Sequence, residues 1–201
     1  MSSLFEKIKS FFKSNIEIIV PTAVLTVICL VVTLALSSTN MLTASKIEAL
    51  AEKTQNEAMA KLINADEFNA KTAVLDDSEI EYNVAVKGGE TVGLIFVTEE
   101  NGYGGSVSVM TAVNTDGTVA AVEILDASNE TPGLGQNVTK ESFYNQFSGL
   151  NGDIVAAKGG TANSDNNEIN AVTGASISSR AVTNAVNTAL DNAAKILAEE
   201  D

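Results

Sequence analysis

Eleven residues near the C-terminus, Asn170-Ala171-Val172-Thr173-Gly174-Ala175-Ser176-Ile177-Ser178-Ser179-Arg180, bring four hydroxyl side chains and one glycine together immediately before a run with helical periodicity. The first N–H groups of a helix have no partner within it, its dipole is positive at that end, and a glycine there lets the backbone approach a ligand closely. Such a place suits an anion, and a phosphate fits it. The same hydroxyl residues are also the preferred caps of any helix, so spacing alone leaves both readings open.

A second segment, Glu130-Thr131-Pro132-Gly133-Leu134-Gly135, is a stiff turn in which two glycines flank one apolar side chain. It could offer backbone N–H groups and a leucine to a planar ring, or it could be a loop with no ligand. It is not a dinucleotide fingerprint, because GxGxxG is missing and no βαβ pattern surrounds it. Other chemistries are excluded by composition. The chain has no histidine and one cysteine, Cys29, which removes Ser-His-Asp and Cys-His nucleophile systems, histidine zinc sites and any disulfide within one copy. The remaining chemical resources are hydroxyls, carboxylates, backbone amides and a borrowed cofactor.

Those two segments must be held by a scaffold, and 201 residues suffice for one anchored domain. From Ile16 to Leu36 the sequence is almost entirely apolar, with Glu17 at its start, and is long enough to cross a bilayer core of roughly 30 Å. Pro21 falls in the first turns, where its missing N–H costs least. Lys7, Lys9 and Lys13 precede the run and place the N-terminus in the cytoplasm by the positive-inside rule, with the rest of the chain on the other side. A cleaved signal peptide fits less well, since the apolar stretch exceeds the usual h-region and Leu36-Ser37-Ser38 is a weak cleavage site. A lipidated cysteine fits less well too, because Ile28 precedes Cys29.

The expected organisation is a cytoplasmic tail over 1–15, a membrane helix over 16–38, a stalk helix over 39–64 and an extracytoplasmic domain over 65–201. The stalk is read from Ile47, Leu50, Ala51, Ala58 and Leu62 at helical spacings. Residues 64–78 read as a loop with a short ordered piece. Runs rich in Val, Ile and Thr near 79–86, 91–98, 105–113 and 118–126 read as strands, and Lys87-Gly88-Gly89-Glu90 and Asn114-Thr115-Asp116-Gly117 read as the turns of an antiparallel meander. A short helix over 140–147 and a strand over 153–158 follow. The last helix runs from about Ser178 to Glu199, with Ala181, Val182, Ala185, Val186, Ala189, Leu190, Ala193 and Leu197 on one face. The fold class is α+β: one N-terminal transmembrane helix, then a single domain with a mostly antiparallel sheet and a C-terminal helix.

Charge narrows the partners. Of 12 basic and 26 acidic side chains, three and two precede residue 40, so the remainder carries 9 and 24. A domain that acidic repels phosphate backbones, which argues against nucleic acid.

Taken together, the two segments resemble the FMN-binding domain of the G subunit of Rnf electron-transport complexes and, more distantly, the C subunit of the sodium-pumping NADH:quinone oxidoreductase. In that family an [ST]-G-A-[ST]-x-[ST] motif is flavinylated on the hydroxyl residue after Gly-Ala. Here the motif is Thr173-Gly174-Ala175-Ser176-Ile177-Ser178, and the family's ring-side ETPGLG element matches Glu130 to Gly135 in full. The order of elements agrees over essentially the whole chain. Two departures stand out: the acceptor is serine where threonine is commoner, and Asn170 replaces an aspartate found in many members. Lys158, before Gly159-Gly160, matches a family lysine and could lie near the flavin or its phosphate, or be a solvated lysine at a strand end.

The resemblance implies covalent FMN joined through its phosphate to Ser176, with Thr131, Gly133, Leu134 and Gly135 shaping the ring pocket and the helix start near Ser178 and Ser179 receiving the phosphate. It implies a redox subunit, not catalytic alone, of a membrane complex that couples ferredoxin:NAD oxidoreduction to Na+ or H+ translocation. Its partners would be the other membrane and peripheral subunits, a flavin transferase during maturation, and membrane lipid along 16–38. The alternatives are a stand-alone flavinylated extracytoplasmic carrier, a quinone-reductase-type subunit, and a flavin-free membrane-anchored binding domain.

Overall fold

The computed structural model describes residues 16–76 and 78–200. The tail over 1–15, with Lys7, Lys9 and Lys13, lies outside the described residues. The chain divides into two units between Lys53 and Thr54.

Helix α1 runs from Ile16 to Leu62 without a break at Pro21, so the membrane and stalk segments are one element. Within it, Val20–Asn40 has a mean hydropathy of 2.3 and none of it is buried against protein, as expected of a helix whose solvent is lipid. Thr22 and Cys29 accept on their carbonyls from the hydroxyls of Thr26 and Thr33, four residues on, so those polar side chains satisfy themselves within the helix. Of the stalk positions, Ala58 and Leu62 are buried. The side chains of Ile47, Leu50 and Ala51 lie outside the described ones.

In the second unit five strands follow: β1 (Glu67–Leu75), β2 (Ser78–Lys87), β3 (Glu90–Asn101), β4 (Ser106–Asn114) and β5 (Val119–Asp126). They pair in sequence order, every neighbour antiparallel, as a meander. Four of the five match the predicted runs. β1 corrects the expected loop over 64–78. It is an edge strand whose burial is slight until Leu75, so the alternation that marks the inner strands is absent, and its nine-residue ladder with β2 defines it instead.

Both faces of the sheet are covered. Leu94, Phe96, Val107, Val109 and Val113 face the C-terminal helix, while Ile95, Met110 and Ala112 face the other way, onto Ala58, Met59 and Leu62 of α1. This alternation is the period-two rule of a strand buried on both sides. After β5 come a 3-10 turn (Gly135–Thr139), the short helix α2 (Glu141–Tyr144), and β6 (Val155–Ala157), which pairs in parallel with β7 (Glu168–Asn170). Helix α3 (Ser176–Glu200) then packs against β3 and β4. Its predicted apolar face holds: Ala181, Val182, Ala185, Val186, Ala189, Leu190 and Ala193 are all buried. The Thr98 hydroxyl donates to the Ala185 carbonyl at 3.0 Å, pinning β3 to the middle of the helix. The helix begins two residues earlier than its periodicity indicates, and that places Ser176 at its first position.

Candidate functional site

Three segments distant in sequence converge at the start of α3. The loop after β5 opens with an Asx turn, in which the Asp126 carboxylate accepts from the Ser128 N–H at 2.8 Å, a bond that holds its pKa below the usual carboxylate value. Four residues on, Glu130 is 1% exposed. Its carboxylate accepts from the Ser178 hydroxyl at 2.6 Å and from the Gly104 N–H at 3.0 Å. Burial of a carboxylate demands such donors. Glu130 therefore ties the ETPGLG loop to the first turn of α3 and to the β3–β4 turn.

That junction is too tight for side chains at its glycines. A Cβ on Gly135 would run into the Glu130 carboxylate and the Ser178 hydroxyl, and one on Gly104 would run into the Asn129 carbonyl. The approach, more than turn geometry, explains why glycine follows Leu134.

Gly174 sits in the left-handed region, at φ +78°, and a Cβ there would meet Leu134 at 3.2 Å. It turns the chain into α3. The Ser179 hydroxyl donates to the Ala175 carbonyl and accepts from the Val172 N–H, both at 2.9 Å, which locks the turn. The residue before the helix is Ala175, whose side chain cannot cap. Ser178 and Ser179 are buried and their hydroxyls are bonded elsewhere in the protein, so neither caps the helix. At the helix start near these two residues, where a phosphate is expected, the N–H groups of Ser176, Ile177 and Ser178 have no acceptor among the described residues. The half-buried Ser176 side chain likewise has none.

Beside these donors lies a cavity of about 560 Å³, lined by Tyr103, Glu130, Thr131, Leu134 and Gly135 and by residues 174–178. Its size falls within the roughly 300–1,000 Å³ of small-molecule sites. Of the expected site residues, Glu130, Thr131, Leu134, Gly135, Gly174, Ala175, Ser176 and Ser178 meet here. Thr173 and Gly133 are exposed neighbours that do not line the cavity. Lys158 is exposed at the end of β6, also outside the lining. Tyr103 and Ile177 line the cavity without being among the expected site residues, and Tyr103 lies outside both motifs. The signal of Tyr103 is the Asn101-Gly102-Tyr103-Gly104-Gly105 run, an aromatic among glycines.

Asn170 has an internal role. Its N–H donates to Gln146 at 2.8 Å, its side-chain amide donates to the same oxygen at 3.2 Å, and its side-chain carbonyl accepts from the Ala162 N–H at 3.1 Å. An aspartate there would keep the second partner and lose the side-chain donor to the first.

The cavity, the uncommitted helix start and the flanking meander form one candidate small-molecule site in an α+β domain. Residues 102–191 match the FMN-binding domain family, a span that begins at the Tyr103 loop and ends in α3. The chain is similar to the G subunit of the proton-translocating ferredoxin:NAD(+) oxidoreductase complex of Clostridium ljungdahlii, 33% identical over 180 residues that cover 89% of this chain and 93% of the relative. The corresponding G subunit of the Na(+)-translocating complex of Acetobacterium woodii is 35% identical, covering 82% and 86%. The crystal structure of Shewanella oneidensis NqrC shares the fold, with a TM-score of 0.51 at 20% identity over 61% of this chain and 63% of that one. The chain belongs to the family of G subunits of ion-translocating ferredoxin:NAD(+) oxidoreductase complexes.

The Glu130 junction is open to a direct test. Ser178→Ala removes one of the two donors to a buried carboxylate and is expected to cost about 1–3 kcal/mol, read as a lowered urea midpoint. Lys158→Ala, at an exposed strand end, should stay within about 0.5 kcal/mol of the parent.

Proposed function

We propose that the chain carries FMN as a phosphoester of the Ser176 Oγ and relays electrons within a membrane complex that couples ferredoxin:NAD oxidoreduction to ion translocation. The observation that carries this reading is the position of Ser176: a half-buried, unpartnered hydroxyl at the first residue of a 25-residue helix whose first-turn N–H groups are free, at the rim of the cavity.

The residues fit the group. The Ser176, Ile177 and Ser178 N–H groups can hold phosphate oxygens, aided by the helix dipole. Leu134, set against Gly174, and Thr131 give the cavity an apolar wall and a hydroxyl for a planar ring. Gly133 and Thr173 shape the two turns without touching it. When bound, FMN supplies one- and two-electron redox chemistry, and the protein positions it and excludes water.

Ester formation needs an activated donor. The Ser176 oxygen would bond to the FMN phosphorus of a flavin dinucleotide as the pyrophosphate P–O bond breaks and a nucleoside monophosphate leaves. The hydroxyl proton would pass to a base of the flavin transferase, since this chain has no histidine.

The chain's share in ion translocation is indirect. Val20–Asn40 contains no Asp, Glu, Lys or Arg, so the ion path belongs to partner subunits. The relatives are named for proton and for Na+ translocation. The lysine flank at the N-terminus and the acidic remainder support a domain on the outer side.

Two experiments check these statements. Co-expressed with a flavin transferase and purified under denaturing conditions, the chain should gain the mass of FMN less one water on the peptide containing Ser176, and Ser176→Ala should lose it. Retention of an acid-stable flavin by that variant would place the linkage elsewhere. In whole cells a membrane-impermeant thiol reagent should label Ser142→Cys, at an exposed position of α2, and labelling only after lysis would put the domain in the cytoplasm.

A further inference from the structure

Tyr103 has no structural task in the protein alone. Among the described aromatic residues it is the one that is exposed, at 72%, while Tyr82, Phe96, Phe143 and Phe147 lie in the core and Phe68 and Tyr144 are half-buried. Its hydroxyl has no hydrogen-bond partner among the described residues. An exposed aromatic of this kind costs solvation and contributes nothing to packing.

Its backbone, in contrast, is held firmly. The Gly102 N–H donates to the Gly105 carbonyl at 2.8 Å, closing the turn, and the Gly104 N–H donates to Glu130. A Cβ on Gly102 would collide with the Glu130 carboxylate, and one on Gly105 would press on Asn129. The turn therefore lies directly on Glu130, and Glu130 in turn bonds Ser178. One buried carboxylate fixes both the aromatic turn and the first turn of α3. Tyr103, so positioned, lines the cavity that Leu134 and Ser176 also line.

We infer that Tyr103 is the aromatic wall of the flavin site, packing its ring on the isoalloxazine and so setting the orientation of the cofactor. The inference rests on the FMN reading above. A rigid backbone with an otherwise idle aromatic at the mouth of a cavity is the arrangement expected of a stacking platform, because an offset contact of two π systems needs a fixed separation and gains from a preorganised turn. Glu130 is then a positioning residue, which holds the wall at a set place relative to the attachment helix.

The test uses the full-length flavinylated chain and its Tyr103→Leu and Tyr103→Trp variants. A phenol or indole in contact with a flavin quenches its emission, and an aliphatic side chain does not. With equal FMN content by intact mass, Tyr103→Leu is expected to raise the flavin fluorescence yield severalfold and to weaken the visible circular dichroism of the flavin, while Tyr103→Trp keeps both near the parent values. The thermal midpoint of the flavin-free chain should stay unchanged, since the side chain packs on nothing in the protein. If Tyr103→Leu carries FMN and its fluorescence and dichroism match the parent, the aromatic wall is overturned and the Ser176 linkage stands. If the parent itself lacks the FMN mass, both readings fall.

Discussion

The buried carboxylate of Glu130 is the constraint around which the site is arranged. A carboxylate removed from water must find donors, and it finds one on the first turn of α3 and one on the β3–β4 turn. These donors belong to segments separated from it by 48 and 26 residues. Three independent elements, the ETPGLG loop, the glycine turn and the last helix, thus share one fixed point. The glycines follow from the same fact, since Gly102 and Gly135 stand where any side chain would displace the carboxylate. The sheet's part is to supply rigid ends from which the segments depart, with the two layers of core on its faces preventing them from drifting.

A second consequence concerns the helix start. At the N-cap the preferred side chains, Ser, Thr, Asp and Asn, satisfy one of the free donors. Here Ala175 holds that position, and the serines that follow turn inward, Ser178 to Glu130 and Ser179 to the preceding turn. The donors are left for something that is not protein, and Ser176 alone among the four hydroxyls of the segment combines partial burial, the cavity rim and an unused oxygen. The dense hydroxyls therefore differ in their surroundings: two build the turn, that of Ser176 is left without a partner, and Thr173 stays exposed.

Local spacing makes the inner strands, the amphipathic face of α3 and the two chemical segments legible in the sequence, because burial on a regular element imposes a period. One motif points to Ser176, and the other to Leu134 and Gly135. What spacing cannot carry is the pairing of Glu130 with Ser178, a contact across the fold with no local signature, and hence the engagement of the Ser178 hydroxyl within the protein. β1 is silent in the sequence because an edge strand with mostly exposed residues lacks alternation. The Tyr103 run reads as a plain turn until its glycines are seen pressed on Glu130. Asn170, a departure from the family pattern, proves to be a clasp between β7 and Gln146, and that too depends on a partner 24 residues away.

The central claim is that the FMN phosphate is a diester, bonded on one side to the flavin's ribityl chain and on the other to Ser176. Phosphorus NMR of the folded, flavinylated chain tests it most directly. A phosphomonoester loses its second proton with a pKa of about 6, so its resonance moves with pH, whereas a diester has no such proton. The account predicts a single resonance that does not shift between about pH 5 and 8 and that persists on unfolding. A resonance that titrates near about pH 6, or that leaves with free flavin when the protein is unfolded, would contradict it.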